Sequence, residues 1–360
     1  MQQSPSLSEL VEHRLRMVLD AKRTTLAALS PDAEPLSAHL DAMLAGGKRL
    51  RSRFALAGWQ ACSDGENAPA ALIELGVALE LFHAAALVHD DLIDRSATRR
   101  GLPAAHTAFA ALHRAETWAG DADHFGMAAA VLLGDLLLVW SAELSERAVR
   151  EAGPAAGAAV ADLLTTMREE VTVGQYLDVL AEQEGGRRSP AEQLERALLI
   201  ARVKSGRYSV AYPIRIGAAL AGADARRMSA LAEAGEWTGL AFQLRDDLLG
   251  ALGDSAITGK PSGDDIREGK RTVLVAEALQ LMSDPDAMEL AAALGNQDVD
   301  ADTLTRVQHA LLTSGAVAAV EARIAEAEGA AFAALDDSGA SQAQLAPLRG
   351  LIAAATRRHA

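Results

Sequence analysis

The chain has 360 residues, half of them hydrophobic, and carries 49 acidic against 34 basic side chains for a formal net charge of −15. That length allows one large domain or two ordinary ones, with enough apolar residues for a sizeable core. The negative balance excludes nucleic acid and an anionic membrane surface as main partners, and the single cysteine, Cys62, excludes an intrachain disulfide framework.

Alanine and leucine dominate, aromatic residues make up only 4%, and strand-like alternation is scarce, so packed helices are expected. The opening residues show no basic leader followed by an apolar core, so no signal peptide is expected. Ser6-Leu7-Ser8-Glu9 has capping-box spacing and opens the first helix. Pro31 and Pro35 punctuate a turn before a second helix, which ends near Gly46-Gly47. Arg51-Ser52-Arg53 lead into a third helix that reaches Trp59, and residues 62–69 form a loop. A long helix over residues 70–94 follows. Residues 113–126 read as a solvated loop in which His113, Asp121, Asp123 and His124 match no standard metal spacing.

Helices are expected at 127–150, 154–182 and 189–223. The last of these opens on Ser189-Pro190-Ala191-Glu192, with proline at the first helical position and a capping glutamate. The greasiest run, residues 127–140, is interrupted by Gly134-Asp135 and is too short to span a bilayer. Another helix covers 225–252, then a Gly/Asp/Lys-rich loop 253–270, then alanine-rich helix over 271–358 with breaks at Asp284-Pro285 and residues 337–339. With no repeat and no long low-complexity linker, the pattern predicts one all-α domain over residues 1–360.

Two acidic stretches carry chemistry. In LFHAAALVHDDLIDRSATRRGLPAAH, residues 81–106, an apolar helix runs into Asp90, Asp91 and Asp94, with Arg99-Arg100 soon after. Asp90 and Asp94 share a helix face, where two carboxylates repel unless a cation sits between them. Hard oxygen donors in that number suit Mg²⁺, which fills its shell with water and substrate phosphate, and guanidinium forks match phosphate oxygens. A solvated acidic helix end followed by a charged loop is the plainer alternative. The second stretch, FQLRDDLLG over residues 242–250, repeats the theme with Asp246-Asp247 and is followed by Gly253-Asp254, Gly259-Lys260, Gly263-Asp264-Asp265 and Gly269-Lys270. Near the N-terminus lies the basic cluster Gly46-Gly47-Lys48-Arg49-Leu50-Arg51. Two acidic sites with separate basic clusters in an acidic chain point to two polyanionic substrates held around shared Mg²⁺.

From about Leu40 to Lys270 the sequence resembles the trans-isoprenyl diphosphate synthases, the polyprenyl synthetase family. The resemblance implies an all-α bundle of about a dozen helices around a central cavity, the isoprenoid synthase fold. It implies a prenyltransferase that joins isopentenyl diphosphate to dimethylallyl, geranyl or farnesyl diphosphate in 1′–4 fashion. By the same resemblance Asp90, Asp94, Asp246 and Asp247 hold Mg²⁺ (three ions, with Mn²⁺ as a substitute) and Asp91 completes the first DDxxD motif. Gly47, Lys48 and Arg51 match the GGKRxRP motif and, with His83 and Arg100, take isopentenyl diphosphate. Arg99, Lys204, Ser205, Gln243, Lys260 and Lys270 match contacts to the allylic diphosphate, and Gly174-Gln175-Tyr176-Leu177-Asp178 resembles the GQxxD segment.

Three departures stand out: Ser52 replaces a proline, Ser205 a threonine, and Gly250 the third aspartate of the second motif. Asp254, one turn further on, is read either as a compensating carboxylate or as a loop residue. The glycine-rich stretch before Lys260 is not a P-loop, because the spacing differs and Pro261 stands where Ser/Thr is required.

In this family an aromatic residue five positions before the first aspartate stops growth at fifteen carbons. Ala85 and Ala86 leave that level open and Phe82 is the nearest floor, which predicts geranylgeranyl diphosphate. On this reading Ala85→Tyr shortens the product and Phe82→Ala lengthens it. A longer-chain polyprenyl synthase, a non-catalytic subunit of a heteromeric synthase and a class I terpene cyclase are the alternatives. A cytoplasmic homodimer without stable membrane insertion is what the resemblance implies.

Overall fold

The structure is a computed structural model that describes residues 7–44, 46–64, 68–253 and 263–357. Lys260 and Asp254, both singled out from sequence, lie outside the described residues. The described chain is almost wholly helical, the one sheet being a two-residue antiparallel hairpin, as the residue composition led us to expect. Two compact units can be distinguished: Met1–Leu56 with Asp64–Ala161, and Ala57–Ser63 with Asp162–Ala360.

In the first unit, α1 (Leu7–Leu29), α2 (Glu34–Leu44) and α3 (Leu50–Gln60, whose last residues pass into the second unit) precede α4 (Ala70–Ile93). The hairpin strands β1 (Thr98–Arg99) and β2 (Leu102–Pro103) lead to α5 (Ala105–Ala115) and α6 (Ala122–Glu151). Alpha-4 packs along α6 through Leu81, Ala84, Ala85 and Val88 against Ala130, Leu133, Leu137 and Trp140, all in one buried cluster. Alanines on α4 let the two helix axes approach closely. Both helices are long and apolar enough to cross a membrane by length and composition, and 78% of the relevant window of α4 is buried inside the protein.

Alpha-5 corrects the loop expected at 113–126. Phe109, Ala110 and His113 are buried along its inner face, and only 116–121 are non-helical. His113 is not solvated, because its ring packs against Trp118 and Phe125 at centroid distances of 5.9 and 5.6 Å. Asp121 caps α6, accepting from the amides of Asp123 and His124, and Asp123 pairs with Arg114.

The second unit holds most of α7 (Pro154–Glu184), then α8 (Pro190–Ile200), a π-helical segment Ala201–Ala211 and α9 (Tyr212–Leu220). The helix expected over 189–223 is thus three segments. In the π segment hydrogen bonds step five residues, as where the Tyr212 amide donates to the Arg207 carbonyl, and Pro213, with no amide hydrogen, stands just beyond it. Alpha-10 (Ala225–Leu252) follows, then α11 (Asp264–Glu268), α12 (Val273–Leu281), α13 (Asp284–Ala293), α14 (Ala301–Thr313), α15 (Ala316–Asp336) and α16 (Gln342–Thr356). Two breaks in this region went unforeseen. Asp300 caps α14 through the Thr303 amide, and Gly315 takes a left-handed turn at φ 91° before α15. The unit's core gathers Leu244 and Leu248 of α10 with Val273, Leu274, Leu311, Val320 and Ile324.

Leu137 is fully buried in the α4–α6 seam. Leu137→Ala is expected to lower unfolding free energy by about 2–5 kcal/mol, read by chemical denaturation.

Candidate active site

In the first unit the site is built on the C-terminal half of α4. Among its half-buried positions there, His83, Ala86, Leu87 and Asp90 are spaced i, i+3, i+4, i+7 on one face, while Ala85 is fully buried in the seam with α6. Asp90 and Asp94 share this face, Asp94 being the residue that caps the helix. Asp91 points elsewhere and is buried, where both Nε and Nη2 of Arg99 donate to its Oδ1, the former at 2.8 Å. Arg99 also lies 3.8 Å from Asp90 Oδ2, so its fork orients the acidic end of the helix.

The hairpin register pairs Thr98 with Pro103 and Arg99 with Leu102, leaving Arg100-Gly101 as a two-residue turn with φ of 54° and 76°. Positive φ at both positions is the tight-turn geometry that matches strand twist, and it costs a non-glycine residue about 1–2 kcal/mol. That outlay turns Arg100 out from the strand toward the Gly46–Arg49 loop, whose Gly47 lies close to its guanidinium. Arg49, also left-handed at φ 47°, fastens this loop. Its Nε donates to Glu12 at 2.9 Å and its Nη2 to the Leu44 carbonyl at 2.6 Å. Glu80, buried on α4, accepts from the Ser52 amide at 3.3 Å and lies 3.8 Å from Arg49. A proline at position 52 has no such amide to give, so the serine ties α3 to α4.

Loss of hydration, followed by Arg51, Arg100 and Arg99, pushes the His83 imidazole well below its ordinary value, with Asp90 opposing. The ring is neutral at pH 7 and able to offer one N–H. Loss of hydration, Arg49 and Arg99 likewise lower Arg100, with Glu80 opposing. Positive groups converge here while Lys48 remains exposed, which is the electrostatic signature of an anion site.

In the second unit Lys204 and Ser205 fall on the π segment, where the Lys204 ammonium donates to Asp178 of α7. The π segment crosses α10 so closely that a Cβ on Gly206 would lie 2.7 Å from the Gly239 carbonyl carbon, and only glycine allows this. Gln243 donates to Asp247 Oδ1 at 2.7 Å. Asp247 is buried, and burial first, then Asp265, Asp246 and Asp178, push its carboxyl up to about 8 while the Gln243 bond opposes. Lys270 pairs with Glu268 at 2.8 Å and lies 3.9 Å from Asp265.

Comparison with known proteins decides the family. The polyprenyl synthetase model matches residues 33–311. The chain belongs to the polyprenyl synthetase family. It is 31% identical over 312 residues to the geranylfarnesyl diphosphate synthase of Aeropyrum pernix, covering 85% of this chain and 88% of that protein. It is 30% identical over 268 residues to the nonaprenyl diphosphate synthase of Mycobacterium tuberculosis, covering 74% and 70%. Among solved structures, geranylgeranyl pyrophosphate synthase from Corynebacterium glutamicum, complexed with isoprenyl diphosphate and magnesium, superposes with a TM-score of 0.91 at 38% identity over 98% of this chain and 99% of that one. The protein is therefore a trans-prenyl diphosphate synthase, a prenyltransferase of isoprenoid biosynthesis.

The donors of this synthase suit a hard divalent cation. They are carboxylate oxygens, and burial followed by repulsion from neighbouring carboxylates lifts Asp247, a penalty that a bound cation relieves. Among the described residues no three His, Cys, Asp or Glu side chains group so as to hold a metal ion by themselves. Sequence reasoning undervalued Asp178, Glu80 and Asp265. The signal for Asp178 and Glu80 was an unbalanced charge, a lysine and an arginine cluster that each needed an opposite group.

Asp247 gives a pH prediction for the metal-free synthase. A carboxyl raised in the folded state favours folding fully below its unfolded value near 3.8 and loses that contribution as the pH rises to about 8. Melting temperature measured in EDTA should fall across that window for the wild type, and less steeply for Asp247→Asn.

Proposed function

We propose that the synthase condenses isopentenyl diphosphate with an allylic diphosphate head to tail and that its product is geranylgeranyl diphosphate. The observation that carries the reading is that His83 lies within electrostatic reach of Arg51, Arg100 and Arg99 and also of Asp90. An anion site and a carboxylate site thus meet on one face of α4, directly above the apolar positions Ala86 and Leu87.

In this reading Gly47, Lys48, Arg51, His83 and Arg100 hold isopentenyl diphosphate, the glycine letting the loop wrap its oxygens. Lys204, Ser205, Gln243, Lys270 and Arg99, with Lys260, take the allylic diphosphate and neutralise it as it leaves. Asp90, Asp94, Asp246 and Asp247 are the residues for magnesium, three ions with Mn²⁺ as a substitute, and Asp91 keeps Arg99 in place. The bound cation supplies Lewis-acid stabilisation of the departing diphosphate. The allylic C–O bond ionises, the double bond of isopentenyl diphosphate attacks the cation, and the released diphosphate takes the proton that is lost. The dry face of α4 keeps water from the cation. The working protein is a cytoplasmic homodimer that treats residues 1–360 as one catalytic domain.

Ala85, expected from sequence to set chain length, is buried in the seam with α6, so that role passes to Ala86 on the Asp90 face, with Phe82 as the floor. Small residues at the first open level, and relatives named as geranylfarnesyl and nonaprenyl synthases, favour a longer polyprenyl product as the second reading. The test incubates purified chain with isopentenyl diphosphate, Mg²⁺ and each allylic primer, with product chromatography. A twenty-carbon product is expected, shortened by Ala86→Phe and lengthened by Phe82→Ala. No elongation by the homogeneous protein contradicts the assignment and supports a non-catalytic subunit, whereas unchanged lengths in both variants remove the account of chain length.

A further inference from the structure

In the second unit the π segment is held between α7 and α10. On α7, Glu170, Gly174 and Asp178 are spaced i, i+4, i+8 and share one face. A Cβ on Gly174 would lie 2.5 Å from the Lys204 amide nitrogen, so α7 crosses the segment at that residue. The crossing with α10 falls two residues later, at Gly206 against Gly239. Arg207 stands directly beyond it and reaches both neighbours. Its Nη1 donates to Glu170 of α7 at 3.1 Å and its Nε to Glu236 of α10 at 2.9 Å.

The carboxylate of Glu170 takes a second bond from the segment, from the Tyr212 hydroxyl. Arg207 and Tyr212 are five residues apart, and the Tyr212 amide donates to the Arg207 carbonyl. In an α-helix, positions five apart point about 140° away from each other, since each residue turns the chain by about 100°. An i→i+5 hydrogen bond brings them back to one side. One glutamate therefore holds both side chains only while the segment keeps its wide winding. Three residues before Arg207, the Lys204 ammonium meets Asp178, two turns along α7 from Glu170.

We infer that Arg207 is a positioning residue: its guanidinium, shared between Glu170 and Glu236, holds the π winding of residues 201–211 and thereby aims Lys204 at the allylic diphosphate. The inference rests on the proposed role of Lys204. The side chains of Arg207, Glu170 and Glu236 are 32%, 28% and 34% exposed, so these ion pairs contribute little stability and their value lies in geometry. A lysine at 207 keeps the charge but lacks the planar fork that serves two carboxylates on separate helices. A clamp that only supports the fold is the competing account.

Steady-state kinetics of the full-length protein with farnesyl diphosphate, isopentenyl diphosphate and Mg²⁺ test this on Arg207→Lys, Arg207→Met, Lys204→Ala and the double variant of Lys204→Ala with Arg207→Lys. Each Arg207 variant should raise the KM for farnesyl diphosphate about fivefold or more and leave that for isopentenyl diphosphate within about twofold of wild type. In the Lys204→Ala background, Arg207→Lys should cost less than about twofold further, because the side chain it aims is gone. A clamp that only supports the fold would raise both KM values together, and its effect would multiply with that of Lys204→Ala. Wild-type KM for farnesyl diphosphate in folded Arg207→Lys, a parallel rise in both KM values, or multiplying effects in the double variant each overturn the inference. Wild-type KM in Lys204→Ala strikes the role proposed for Lys204, and this inference with it. A wild-type chain that transfers no prenyl group overturns the proposed reaction; the same criteria are then applied to dissociation constants for farnesyl diphosphate.

Discussion

Asp247 cannot easily hold a charge in the metal-free protein. It is buried on α10 with Asp265, Asp246 and Asp178 close enough to push its carboxyl up to about 8. A fold that concentrates carboxylates out of water accepts a standing electrostatic penalty, and repulsion between them is removed only by protons or cations. Much of the second unit serves this one constraint. Lys204 is bound to Asp178, Gln243 donates to Asp247, and Lys270 lies 3.9 Å from Asp265, so part of the negative charge is offset.

The first unit shows the opposite sign of the same problem. Arg51, Arg99 and Arg100 converge around His83 with Arg49 near Arg100, and the carboxylates of Glu12, Glu80 and Asp91 hold Arg49 and Arg99 in place. The backbone shares the expense, with Arg49 and Arg100 both left-handed. Clusters of like charge built this carefully are stable when an ion of the other sign arrives. A magnesium diphosphate is at once an anion for these arginines and a cation for Asp90 and Asp94 on the same unit.

The all-helical build was legible because alanine, leucine and caps such as Ser189 act locally and their signals survive in one dimension. Ser189 does form the capping box read from its spacing with Glu192. The motifs were legible for a similar reason, since Asp90 and Asp94 share a face by helix geometry alone. What stayed hidden depends on contacts between distant segments. No pattern near Lys204 announces a π segment, whose register shift is tied to a crossing at Gly206 and Gly239 far apart in sequence. Alpha-5 was hidden because its inner face includes His113, read as polar although it packs against Trp118 and Phe125.

The central claim is that, within the first unit, the acidic end of α4 at Asp90 and Asp94 and the arginines around His83 form a receptor for a magnesium-bound diphosphate. Calorimetric titration with a non-reactive thiolo analogue of an allylic diphosphate, in EDTA and then in excess Mg²⁺, tests it most directly. The account predicts binding at least about tenfold tighter with Mg²⁺, since neutralising the carboxylates is worth well over 1.4 kcal/mol. Equal affinity with and without the metal would contradict it.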